Sequence, residues 1–353
     1  MKMNVISIKI PVKITLFGEH AVVYNKPAIA STIPVFINIL GRSIKEKKLI
    51  IEFNDINIPT KKVVLDKITN TYVLVPNEIY ISRFISYIAT GLDICKNELQ
   101  ITDEGGYEIR IESTLPIGAG LGTSAAISVG TIALCVLLSY NKDVEDPSIR
   151  KIIALLAWKT EQKVQGMASP MDTFTITYGG LRYIKPWIPE AEYINSPNQL
   201  NIIVGYTPKK FTTAELVKNV KNLKVKEEKI IEKLLDIIGE IVEEARDAII
   251  KNDVERLGTL MNVNHGVLEA LGIVSLDHSY IIKTLIAAGA LGAKTSGAGG
   301  GGAFIALAKN KIHATLLKNI AEALGARIVA MELYEKGFII NNDSSRVLKD
   351  LIV

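Results

Sequence analysis

Cysteine is almost missing from this chain: Cys95 and Cys135 are the only two in 353 residues. So sparse a pair makes no disulfide framework, and a reducing compartment is the default expectation. Net charge is nearly missing too. Forty-one Lys and Arg stand against 37 Asp and Glu, a formal charge of +4. That surplus is too small and too dispersed to mark a nucleic-acid partner. Its densest part, residues 218–229, is interleaved with apolar and acidic residues and reads as a solvated helix face. The first residues lack a basic-then-apolar leader. The most apolar run, 125–138, contains Ser128, Gly130 and Thr131 and is too short to cross a bilayer. A buried helix is expected there, and no membrane partner. These absences together predict a cytoplasmic protein. Internal repeats are absent, and low complexity is confined to one glycine run, 297–302.

The composition, 48% hydrophobic and 22% charged, suits a soluble globular protein, and the length suits two domains. Residues 186–198 carry Pro186, Pro189 and Pro197 among polar neighbours. A boundary there divides the chain into domains 1–190 and 199–353. In the first half, apolar patterning predicts strands over 3–14, 28–40, 48–53, 62–65 and 107–113. Ile81, Phe84, Ile85 and Ile88 form a helical stripe within 77–92. Asp146, Pro147 and Ser148 open a helix that Gly166 closes. In the second half, 201–206, 302–307, 327–333 and 337–341 read as strands, the last two as a pair. Residues 226–250, 254–271 and 279–291 read as helices.

The most informative segment is 115–126, LPIGAGLGTSAA, between the 107–113 strand and the apolar helix. Strand, glycine loop and helix start together aim backbone N–H groups at an anion. Glycines permit close approach and positive φ, and the helix N-terminus adds partial positive charge. The Ser124 hydroxyl suits a Mg²⁺ ion carried on a phosphate. No Lys precedes the hydroxyls as G-x-x-x-x-G-K-[ST] requires. Thr123 stands where the G-x-G-x-x-G dinucleotide fingerprint needs its last glycine. Taken alone, the loop leaves phosphate binding and a packing turn both open.

Two further segments bear on that choice: 11–30, PVKITLFGEHAVVYNKPAIA, and 293–304, AKTSGAGGGGAF. With the central loop they resemble the three signature motifs of the GHMP kinases, the superfamily of galactokinase, homoserine kinase, mevalonate kinase and phosphomevalonate kinase. Within it the resemblance is to the mevalonate kinases, and it extends to Asn264, His265, Leu268, Leu271, Gly272, Ile273 and Ser275. It implies a two-domain α+β fold, the first domain like ribosomal protein S5 domain 2 and the second ferredoxin-like. It implies ATP and Mg²⁺ as cofactors, mevalonate as the acceptor phosphorylated on its 5-hydroxyl in isoprenoid biosynthesis, and it allows a homodimer.

Carried onto this sequence, the resemblance makes Asp172 the catalytic carboxylate and Lys13 its cationic partner. Phosphates would lie on Pro116, Gly118, Ala119 and Gly120, and on Leu121, Gly122, Thr123 and Ser124. Ser124 and Glu161 would hold Mg²⁺. Glu19, His20 and Thr213 would face the acceptor, with Gly297, Gly299 and Gly300 near the phosphates. The residues alone read more plainly: Asp172 as a cap or turn carboxylate in an irregular loop, Glu161 as a surface acid between Lys159 and Lys163, and Lys13 as an outward strand residue. The chain departs from the family pattern at Asn25, Thr123, Ala168 and Pro170. Alternatives are another GHMP kinase, such as phosphomevalonate kinase or mevalonate 3-kinase, and a kinase-like ligand sensor. A sensor should have lost catalytic or metal-binding groups, yet Lys13, Ser124, Glu161 and Asp172 are all present.

Overall fold

A computed structural model describes residues 5–55, 58–66, 71–73, 79–115, 119–209 and 211–341. In chain order the first half supplies β1 (Ile6–Phe17), β2 (Ala28–Ile44), β3 (Lys48–Asp55), β4 (Ile58–Asp66), β5 (Thr71–Val73), α1 (Ile79–Glu98), β6 (Gly106–Ser113), α2 (Thr123–Cys135), α3 (Pro147–Gln165), α4 (Met171–Tyr178), β7 (Leu181–Lys185) and β8 (Glu190–Tyr193). The second half supplies β9 (Ile202–Thr207), α5 (Thr213–Lys226), α6 (Glu228–Ile250), α7 (Val254–Ala270), α8 (Leu276–Ala287), β10 (Gly292–Thr295), β11 (Gly302–Leu307), α9 (Lys311–Ala323), β12 (Arg327–Ala330) and β13 (Ile339–Asn341).

These strands make two sheets, so the expected α+β class holds. One runs β13-β1-β2-β6-β3-β4-β5, with β7 and β8 attached beside β2; the other runs β10-β11-β9-β12. Strand β2 is long enough to branch. Its residues 37–44 pair with β6 and its residues 28–31 with β7, while β1 pairs along its other edge. Strand β13 pairs with β1 and not with β12, so the expected pairing of 337–341 with 327–333 does not form. The proline-bearing stretch around 190 is also not a bare linker, because β8 lies inside it and pairs with β7.

Helix α2 is the centre of the first half. Its residues 125–135 are all buried, as a helix apolar all round must be. Gly130 lets it close on the sheet: an added Cβ would fall 2.6 Å from Ile39 Cδ1 and 2.8 Å from Ile10 Cδ1. A π-helical turn continues it, and Thr123–Tyr140 is long and apolar enough by composition to cross a membrane. The shorter expected run was not; in the fold most of this helix is core. Helix α3 begins and ends where its signals predict. Asp146 accepts from the Ser148 amide at 2.8 Å, Pro147 follows, and Gly166 (φ 86°) closes it.

Cys95 of α1 and Cys135 of α2 form a disulfide with a Cα–Cα distance of 6.6 Å. This corrects the expectation drawn from cysteine scarcity. The count could not show that two helices packed side by side bring the residues together, and it no longer argues for a reducing compartment. The bond closes 40 residues of sequence separation, a stretch that holds β6 and the glycine loop. Replacing both cysteines by alanine is expected to lower unfolding free energy by about 2–4 kcal/mol. Denaturant titration with and without reductant checks this; a midpoint that neither treatment moves would contradict it.

Candidate active site

Strand β1 is buried along both faces near its end, so Lys13 cannot point to water. It is 2% exposed. A lysine so placed needs a partner. Its ammonium pairs with Asp172 Oδ1 at 2.8 Å and donates to Thr15 Oγ1 at 2.9 Å. Its backbone N–H donates to Leu121 O at 3.0 Å, tying the strand to the glycine loop. Asp172 does not lie in an irregular loop. It occupies the first turn of α4, where the helix N-terminus favours a carboxylate. Its side chain stays 30% exposed, which leaves it reachable by a bound molecule.

Gly122 sits directly against this pair. At φ 75° it caps α2, and a Cβ there would come within 3.0 Å of Lys13 Cε and Cγ and 3.6 Å of Asp172 Oδ2. Gly120 (φ 82°) backs onto Ala303 N, 3.2 Å from where its Cβ would be. No side chain caps α2, so its first amides face the cleft, as an anion site requires. Ala119, Leu121, Thr123 and Ser124 complete the described part of the loop. Pro116 and Gly118 lie outside the described residues.

Glu161 of α3 is 4% exposed and no surface acid. It accepts from Ser128 Oγ at 3.2 Å, Ser124 Oγ at 3.3 Å and Gln165 Nε2 at 2.6 Å. Burial, and then the neighbouring Asp172 charge, push its carboxyl up to about 8. A buried carboxyl bonded to the Ser124 hydroxyl, with a second carboxylate in the same cleft wall, forms an oxygen donor set that suits a hard divalent cation. The residues therefore fit Mg²⁺. Tyr87 of α1 joins them: burial and the Glu161 charge raise its hydroxyl to about 12, opposed by hydrogen bonds with Arg83 and Ser124. Arg83 and Tyr87 went unnoticed in the sequence. Their i,i+4 spacing beside the apolar stripe is the signal that was there.

Two clefts meet at this point. A cavity of about 750 Å³ is lined by Gly120, Gly122, Thr123 and Ser124 with Arg83 and Lys209. A smaller one of about 110 Å³ is lined by Glu19, His20, Val22 and Met167. Both are walled by Lys13, Glu161, Asp172, Thr213 and Gly297. Glu19 is fully buried against Lys294 of β10, with its Oε2 unpaired. Burial raises the Glu19 carboxyl and lowers the Lys294 ammonium, each opposed by the other's charge. His20 holds φ 60° and hydrogen bonds to Ala298 O at 3.0 Å through Nε2, leaving Nδ1 unpaired.

Other expected residues fall differently. The Thr213 hydroxyl accepts from Lys209 Nζ at 3.0 Å, while its neighbour Thr212 caps α5. Of the third-motif glycines, Gly297 lines both clefts, but Gly299 and Gly300 pack against other loops. A Cβ on Gly299 would meet Ile273 O at 2.3 Å, and the Gly300 amide donates to the same carbonyl at 2.7 Å. Asn264 and His265 of α7 line neither cleft. They are buried behind β10, where the Thr295 amide approaches His265 Nδ1 at 3.5 Å.

Comparison with known proteins gives a consistent answer. The family model for the GHMP kinases N terminal domain matches residues 85–180, and that for the GHMP kinases C terminal matches 245–327. The mevalonate kinase of Pyrococcus furiosus is 38% identical over 315 residues, covering 85% of this chain and 88% of that protein. That of Saccharolobus solfataricus is 36% identical, covering 94% and 97%. The crystal structure of L. major mevalonate kinase in complex with R-mevalonate aligns with a TM-score of 0.72 at 26% identity, covering 93% of this chain and 95% of that one.

The raised Glu161 carboxyl has a measurable consequence. Above its ordinary 4.5 the unfolded chain ionises this group while the fold keeps it neutral to about 8. Without metal, stability contributed by the neutral form is therefore present below 4.5 and lost as pH rises to about 8. Glu161→Gln removes that loss. The variant is expected to exceed wild type by about 1–4 kcal/mol at pH 8 in chelator, with the gain shrinking towards pH 5. Thermal unfolding across that range tests it, and a difference independent of pH would contradict it.

Proposed function

The chain belongs to the GHMP kinases, and on that footing we propose that it transfers the terminal phosphoryl group of ATP to the 5-hydroxyl of (R)-mevalonate. Relatives 38% and 36% identical across most of the chain bear the name mevalonate kinase. The observation that carries the reading is the Lys13–Asp172 pair standing in the shared wall of two clefts. One cleft is edged by a helix N-terminus suited to phosphates. The other is small and has Glu19 and His20 in its wall.

In this mechanism the amides of Gly120–Ser124 and the α2 N-terminus hold the donor phosphates. Asp172 accepts or directs the proton of the acceptor hydroxyl. Lys13, paired with Asp172, stabilises negative charge developing on the acceptor oxygen. Ser124 and Glu161 would hold Mg²⁺, which supplies charge neutralisation on the phosphates when bound. Glu19, fixed by Lys294, and His20, fixed by Ala298 O, orient the acceptor.

A site that pairs with a substrate's hydroxyl and carboxylate rejects compounds that leave those groups unmatched. The kcat/KM for mevalonate is expected to be at least about 100-fold above that for galactose, homoserine or 5-phosphomevalonate. Coupled ADP-release assays measure the ratios, and phosphorus NMR should show the product phosphate coupled to a CH₂ group. Preference for 5-phosphomevalonate, or phosphate on the tertiary hydroxyl, would overturn the acceptor.

A further inference from the structure

The cleft holds a lysine that the reading above leaves without a task. Lys209 lies between β9 and α5 and lines the larger cleft but not the smaller. Its Nζ donates to Thr213 Oγ1 at 3.0 Å, and among the described residues no carboxylate lies within ion-pair distance of it. Burial lowers its ammonium to about 8, with the charges of Lys13 and Arg83 adding to the effect and Asp172 opposing it. Four cations, Lys13, Arg83, Lys209 and Arg327, line this cleft with three carboxylates, Glu161, Asp172 and Glu215. Asp172 is already paired with Lys13 and Glu215 is engaged by the Thr212 cap, which leaves Arg83, Lys209 and Arg327 facing Glu161. The surplus of positive charge calls for an anion of more than one charge.

The glycine run explains how Lys209 reaches this place. A Cβ on Gly301 would fall 2.5 Å from Pro208 O and 3.3 Å from Lys209 Cα, and one on Gly302 would fall 3.7 Å from Lys209 Cδ. Both glycines have positive φ. The bare backbone of 301–302 is the bed on which the segment at 208–209 lies and along which the lysine stem runs.

The geometry points to Lys209 as the cation that grips the terminal phosphoryl group of the nucleoside triphosphate, on the side of the cleft facing Lys13 and Asp172. Lys209 is bonded to Thr213, a residue of the wall that the two clefts share, so it stands beside the transfer point, where the last phosphate of the donor must come. Its absence from the smaller cleft separates it from the acceptor. The inference rests on the donor half of the proposed function, a nucleoside triphosphate in the larger cleft, and not on the identity of the acceptor.

The test is calorimetric titration of full-length enzyme with ATP and with ADP, Mg²⁺ present and acceptor absent. Lys209→Met should weaken ATP binding by about 10–100-fold, the range of a lost charge-assisted hydrogen bond, and leave ADP binding within about twofold. Undisturbed ADP affinity also reports that the variant is folded. Lys209→Arg, which keeps the charge, should retain the preference for ATP. Equal losses for ATP and ADP, no loss for either, or an Arg variant as deficient as the Met variant would overturn the assignment. Failure of wild type to phosphorylate mevalonate would count against the acceptor alone, since no acceptor enters this titration.

Discussion

The contact on which the site depends is the ion pair between Lys13 and Asp172. It joins the end of β1 to the start of α4, and Gly122 is pressed against both partners. A lysine buried this deeply is tolerated only with a charge beside it, so α4 must begin where it does. The glycine loop must also pass without a side chain. The pair is unequal in a useful way: the lysine side chain is 3% exposed and the aspartate side chain 30%. The cation is fixed in the fold, while the base keeps an open side.

Around this pair the molecule separates two carboxylates by their surroundings. Asp172 sits at a helix N-terminus paired with a lysine; Glu161 is buried and hydrogen-bonded by hydroxyl and amide groups. Burial, and then the charge of Asp172, raise the Glu161 carboxyl to about 8. One carboxylate is thereby left reachable beside a lysine and the other is buried among groups that suit a metal ion. The glycine run serves this arrangement indirectly. Its residues let loops from both sheets interlock, with Gly297 against Gly120 O and Gly299 against Ile273 O. The two clefts therefore share a wall built from distant parts of the chain.

Much of this was legible locally. The three motifs are contiguous in sequence, and their glycines, caps and strand patterns carry their own signals, as at Asp146, Gly166 and Gly122. What could not be read was set by contacts between distant segments. Strand β13 joins β1 because the chain returns to the first sheet. Cys95 meets Cys135 because α1 and α2 pack together. The helical turn at Asp172 was hidden by the loop signals of Gly166 and Pro170 just before it. Asn264 and His265 share in the mevalonate kinase resemblance yet are buried behind β10, and Arg83, Tyr87 and Lys209 enter the cleft from elements with no motif at all.

The central claim is that Lys13 and Asp172 act as one unit on the transferred group. A double-mutant cycle on kcat tests it most directly, using Lys13→Met, Asp172→Asn and the double variant with saturating ATP and mevalonate. The account predicts at least about a 100-fold fall for Asp172→Asn, with retained ATP binding. It also predicts a double variant scarcely worse than the poorer single one, as for groups that work together. Near-wild-type turnover by Asp172→Asn, or losses that simply multiply, would contradict it.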